Sequence, residues 1–171
     1  MSVFPTKILL ATEGSEEAEL AARTATELAE KTGSELHVVY AQPITLLVGP
    51  RPDDPFLDII GSYADAVIKD IKEKAQRLLD AQVVKVRAAG GTVAQAHLKI
   101  GGAVEEIVAL AEEIGAGLIV LGSRGVGGVG RALMGSVSES VVRYAHCPVM
   151  VVRREAPLEE EEPDLDKKVL T

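Results

Sequence analysis

The sequence predicts an α/β protein: a doubly wound, five-stranded parallel sheet with helices on both faces. Three observations predict it. Apolar runs of strand length alternate with longer segments whose apolar residues recur every three or four positions. Most of those short runs are apolar nearly throughout, as strands buried on both faces must be. The 171 residues, 47% hydrophobic and 26% charged, suit one ordinary domain with its own core.

The elements follow in order. Lys7-ILLAT is a first buried strand. Glu13-Gly-Ser-Glu-Glu17 then combines a turn glycine, an N-cap serine at Ser15 and acids for a first helical turn. Ala18, Ala21, Ala22, Ala25, Leu28 and Ala29 keep helical spacing, Gly33 ends that helix, and Glu35-LHVVYA is a second strand. Residues 42–57 hold four prolines and Gly49, which makes them a surface loop and, from Gly49 to Pro55, a candidate flap. A long helix with Ile60, Ala64, Val67, Ile71, Ala75 and Leu78 on one face follows, closed by Gly90-Gly91. Thr92-VAQAHLKI alternates like a strand. A helix striped by Val104, Ile107, Val108, Ala111 and Ile114 comes next, then a strand at Leu118-IVL. Ser136 to Ala145 forms a short helix and Cys147-PVMVV the fifth strand. Residues 1–154 are the expected domain, and 155–171 an acidic, solvated extension. In such folds ligands lie beyond the carboxyl ends of the strands, at the switch in strand order. The loops after strands one and four, and the end of strand two, are therefore expected around one crevice.

Composition narrows the function classes. A single cysteine excludes an internal disulfide framework and points to a reducing compartment. No opening stretch has the order of a signal peptide, and no apolar run reaches the ~18 residues of a membrane span. A cytoplasmic protein is expected. The net charge is −8, and −5 of it lies beyond Arg154, where seven acids face two lysines. With the body only mildly acidic, and with three tyrosines and two phenylalanines, neither phosphate-backbone contacts nor base stacking is expected, so nucleic acid is excluded as a partner.

The informative stretch is LIVLGSRGVGGVGRALMGSVSESVV, residues 118–142. Gly125-Val-Gly-Gly-Val-Gly130 formally satisfies G-x-G-x-x-G, but a dinucleotide fingerprint turns directly from strand into helix and needs an acid about twenty residues on. Neither condition holds here. A Gly-Lys-Ser/Thr phosphate loop is absent as well. The wider spacing fits better: Gly122-Ser123-Arg124-Gly125, nine residues, then Gly135-Ser136. Glycines let backbone N–H groups close on an anion, Ser136 opens a helix whose N-terminus favours phosphate, and Arg124 and Arg131 bring positive charge. Ser136-Val-Ser-Glu139 also reads as a capping box, in which the serine serves only the helix.

This spacing, with HCPVMVV after it and KILLATEGSEEAE before, resembles the universal stress protein family in its ATP-binding branch, over residues 5–153. The resemblance implies a Rossmann-like fold of the adenine-nucleotide hydrolase type. It also implies a homodimer joined through the last strand, at Val149 and Val151, and ATP in the crevice with Mg2+ or Mn2+ on its phosphates. By position, Gly122, Ser123, Arg124, Gly125, Gly135, Ser136 and the backbone of Val137 would surround the phosphates and ribose. Ala11, Thr12 and Glu13 would border the adenosine, and Ala41 the adenine slot. Glu13 stands where the family usually carries aspartate. Valine at both Gly122 and Gly135 is expected to abolish ATP binding with the fold intact.

No catalytic constellation stands out. His146 and Cys147 are neighbours that would point to opposite strand faces and serve packing. His37 and His97 lie within apolar strands as core histidines, and Glu105-Glu106 and Glu112-Glu113 are helix surface. Glu13 is the one acid expected beside the phosphates. The reading is an ATP-binding regulatory protein in stress adaptation. The alternatives are a slow ATPase or self-phosphorylating enzyme, a cyclic AMP binder, and a nucleotide-free interaction module.

Overall fold

The structure, a computed structural model, describes residues 3–43, 57–124 and 134–154, with side chains from residue 64 in the second of these segments. The chain order is β1 (Lys7–Ala11), α1 (Glu16–Thr32), β2 (Glu35–Gln42), α2 (Leu57–Ala88), β3 (Val93–Ile100), α3 (Ala103–Ile114), β4 (Leu118–Gly122), α4 (Ser136–Tyr144) and β5 (Val149–Val152). The proposed flap, Gly125, Arg131 and the acidic extension lie outside the described residues.

All strand pairs are parallel and the sheet order is β3-β2-β1-β4-β5. The chain winds outward from β1 to β3, then crosses back to place β4 on the other side of β1. Register is fixed at the centre by Ile8 opposite both Leu36 and Leu118. Side chains alternate between the two faces. Ile8, Leu10, Leu36, Val38, Leu118 and Val120 point to α1 and α2, where they meet Ala21, Ala25, Leu79, Val83 and Val86. Leu9, Ala11, Val39, Ile119 and Leu121 point to α3 and α4 and meet Ile107, Leu110, Ala111 and Val141. This two-sided burial explains why the strands read as apolar runs.

Helix ends follow the expected chemistry in two places. Ser15 caps α1 by accepting the Ala18 N–H, and Gly33 closes it in the left-handed region with its own N–H returned to the last turn. The buried stripe of α2 differs from the one expected. Ala75, Leu79, Gln82, Val83 and Val86 are buried while Val67 is 39% exposed. The reason is length: 32 residues of helix run about 48 Å, whereas an eight-residue strand spans about 26 Å. Only the C-terminal half of α2 can lie on β2 and β3, so the stripe turns inward there.

Candidate functional site

A crevice of about 370 Å3 opens at the carboxyl ends of β1 and β4, where the strand order reverses. The end of β1 contributes Ala11, Thr12 and Glu13, and β2 contributes Val39 and Ala41. Leu121, Gly122 and Arg124 enter from β4, Gly135, Ser136, Val137 and Ser138 from the start of α4. Ala103 and Ile107 of α3 complete the wall. Of the residues predicted from sequence, Ala11, Thr12, Glu13, Ala41, Gly122, Arg124, Gly135, Ser136 and Val137 are thus brought together. Ser123 is fully buried beside the crevice rather than in its lining.

The start of α4 is docked on the residue that follows β4. The Gly135 N–H donates to the Ser123 carbonyl at 2.7 Å, and the Ser138 hydroxyl reaches the same carbonyl at 2.9 Å. Gly135, with extended backbone, is the N-cap, and as a glycine it brings no side chain to the helix N-terminus. The capping-box reading of Ser136 is therefore corrected: Ser136 occupies the first helical position, past the point from which a hydroxyl can fold back on the N-terminus. The first N–H groups of a helix have no partner within it. Here those of Ser136, Val137 and Ser138 stand where the helix meets the crevice, with the favourable end of its dipole.

The glycines answer to packing as well as to any ligand. A Cβ on Gly122 would lie 2.9 Å from the Glu17 carbonyl carbon and 3.1 Å from the Ala18 nitrogen, both in the first turn of α1. Valine at position 122 must therefore displace α1 or β4, so the expectation of an undisturbed fold is corrected for that half of the change. A Cβ on Gly135 would stand 3.2 Å from the Ser123 carbonyl oxygen, a tight contact that a shift of a few tenths of an ångström relieves.

Glu17 was missed at the site by sequence reasoning, which placed only Glu13 near the phosphates. Its carboxylate accepts the Ser123 hydroxyl at 2.5 Å and lies 3.7 Å from the Arg124 guanidinium. The signal was there in part: an acid two positions past the cap of α1 lands beside the end of β4 once β4 is known to flank β1. The other acids of that turn pair outward, Glu16 with Arg154 and Glu19 with Lys85. Those two pairs are exposed and contribute little. Glu17 and Arg124 are sheltered, their side chains 15% and 22% exposed.

Burial raises the Glu13 carboxyl above its ordinary range, and the Glu17 charge adds to this, while the Ser15 hydroxyl donating to it works the other way. Burial also raises Tyr40, with the Glu13 charge as a second cause. An acid whose folded pKa exceeds its unfolded value binds its proton more tightly when folded. Its contribution to stability is therefore greatest below pH 4.5 and declines as pH rises through the folded pKa. Glu13→Gln removes that decline. Its melting temperature should exceed that of the parent at pH 7 and converge with it toward pH 4, measured by calorimetry across that range. A gap that stayed constant with pH would count against a raised Glu13.

The remaining chemistry-bearing residues stay apart. His37 is buried, its Nδ1 3.1 Å from Nε2 of His97, and the rings stack. His97 is only half-buried at the sheet edge, and burial, then the His37 charge, lowers its pKa. Cys147 packs against the α3–α4 cluster with its thiol raised by burial, while His146 is exposed in the turn before β5. Among the described residues no group of three or more His, Cys, Asp or Glu side chains could hold a metal ion. A hard cation at this crevice would take oxygen ligands from phosphates, with Glu13 as the carboxylate in the lining. None of the described helices is long and apolar enough to cross a membrane.

Fold and site together define a doubly wound α/β protein with a crevice at its switch point, lined by a glycine-capped helix N-terminus. The comparisons agree with that class. The Universal stress protein family profile matches residues 5–153. A universal stress protein of Methanocaldococcus jannaschii is 34% identical over 148 residues, 86% of this chain and 82% of its own. The hypothetical protein MJ0577 superposes with a TM-score of 0.71 at 24% identity, over 90% of this chain and 99% of its own. A universal stress protein in complex with cAMP superposes with a TM-score of 0.63 at 25% identity, over 88% and 98%. The chain belongs to the universal stress protein family.

Proposed function

We propose that this protein binds an adenine nucleotide in the switch-point crevice and acts as a nucleotide-dependent regulatory protein in stress adaptation. One observation carries the reading: the N-terminus of α4, with a glycine at its cap, lines the crevice together with Arg124, at the carboxyl end of β4. The volume of about 370 Å3 is within the range of small-ligand sites, and Ala41, Val39 and Ile107 give an apolar wall suited to a base. ATP with Mg2+ or Mn2+ is the proposed ligand. The cAMP complex of the related protein favours a monophosphate as the second reading, since the same helix N-terminus serves one phosphate as well as three.

Hydrolysis is not part of the proposal. Phosphoryl transfer needs a positioned base for the attacking group. The described lining offers Glu13, whose carboxylate already accepts the Ser15 hydroxyl.

The test is to denature freshly purified protein, identify any released nucleotide by mass spectrometry, and titrate stripped protein with ATP, cAMP and adenosine. Saturable binding near one per chain is expected, with Gly135→Val losing it while keeping its helical spectrum. A stripped protein that takes none of the three would leave the interaction-module reading. We further propose that two copies associate through β5, in the cytoplasm. That strand is a sheet edge, with Met150, Val142 and Tyr144 exposed on and beside it.

A further inference from the structure

We infer that Glu17 sets how much phosphate charge the crevice accepts, through the negative charge it places 3.7 Å from the Arg124 guanidinium. The inference rests on the nucleotide reading and adds a residue to it that lies outside the lining. Arg124 lines the crevice with Gly135, Ser136 and Val137, so a phosphate on the N-terminus of α4 comes within reach of its charge. Behind Arg124 stands Glu17, its carboxylate 3.7 Å from the guanidinium and sheltered from water, where screening is weak.

The carboxylate cannot withdraw easily. Its second oxygen accepts the Ser123 hydroxyl at 2.5 Å, and its backbone is pressed against Gly122. Ser123 is in turn tied to the α4 cap through its carbonyl and to β5 through its N–H, 2.8 Å from the Val152 carbonyl. Glu17 therefore faces Arg124 from a fixed position and competes with each phosphate charge brought to the site. Glu13, in the lining itself, repels the same charge from the other side. The expected effect grows with the charge of the ligand and vanishes for a nucleoside. A residue that merely supported the fold would weaken all ligands alike.

The experiment compares the parent with Glu17→Gln, a shape-matched change whose amide oxygen can still accept the Ser123 hydroxyl. Dissociation constants are measured for adenosine, AMP and ATP without added metal, at low and high salt. Adenosine affinity should stay unchanged, AMP should tighten modestly, and ATP should tighten by about tenfold at low salt, with the gain shrinking as salt rises. If Glu17→Gln does not fold, Glu17→Asp draws the charge back by one methylene and should give the same order with smaller factors. An equal factor for all three ligands, no change, or weaker ATP binding overturns the inference while leaving the nucleotide reading standing. Should neither protein bind any of the three, the nucleotide reading falls, and the inference with it.

Discussion

Gly122→Val should both unfold the protein more easily and remove nucleotide binding. The α-carbon at position 122 faces the backbone of the first turn of α1, with only 2.9–3.1 Å between a new Cβ and those main-chain atoms. Backbone cannot rotate away as a side chain can, so α1 must slide or β4 must bend. Overpacking of this kind costs about 1–3 kcal/mol or more. For a protein of this size that is a fall in melting temperature of roughly 2–12 °C. The same displacement moves Glu17 and Ser123, and through Ser123 the N-terminus of α4. A calorimetric scan with an ATP titration checks both effects. Unchanged melting with lost binding would mean that the glycine serves the ligand alone, contrary to the contact with α1.

The second large effect concerns assembly. Met150→Lys is expected to turn a dimer into a monomer, read as a halved mass in sedimentation equilibrium. Val149 and Val151 pack partly against their own subunit's α3–α4 cluster, so a charge on either would disturb the fold as well as any contact. Met150 is 36% exposed and spares that cluster. Lysine on a sheet edge is a recognised block to pairing with another chain. Melting of the variant should fall only by the part of stability that association supplies to the parent. A parent that is monomeric, or a variant that stays dimeric, would remove β5 as the joining edge.

The sequence made the order of elements legible because both sheet faces are covered. Ile8 to Ala11 and Leu118 to Leu121 are apolar without interruption, which only a buried parallel strand requires. Ser15 and Gly33 marked the ends of α1 through local chemistry that needs no tertiary partner. Where partners decide, the reading stopped. The inward face of α2 depends on where the sheet ends, so Val67 shared the expected stripe with Ala75 yet lies in water. The stripe that spacing predicts for α3 omits Leu110, although Ile107, Leu110 and Ala111 together form its buried face. At the site, spacing alone groups Gly122, Gly135 and Ser136, and all three line one opening. Capping could not be judged from four letters, because it turned on Gly135 taking the cap position one residue earlier. Nor could the approach of Glu17 to Arg124 be seen, since 106 residues and a strand crossing separate the two partners of the Ser123–Glu17 bond that anchors it.

The contact between Gly122 and α1 has a consequence for reading relatives. A substitution there is filtered by folding before any ligand is met, so this glycine carries information about architecture. Loss of the ligand would leave that steric constraint in place. A search keyed on Gly122 therefore gathers chains that share the scaffold, whatever occupies their crevice. Diagnostic positions are those that face the opening without bearing on the frame. In this chain Ala41, Ser136 and Val137 face the opening in that way.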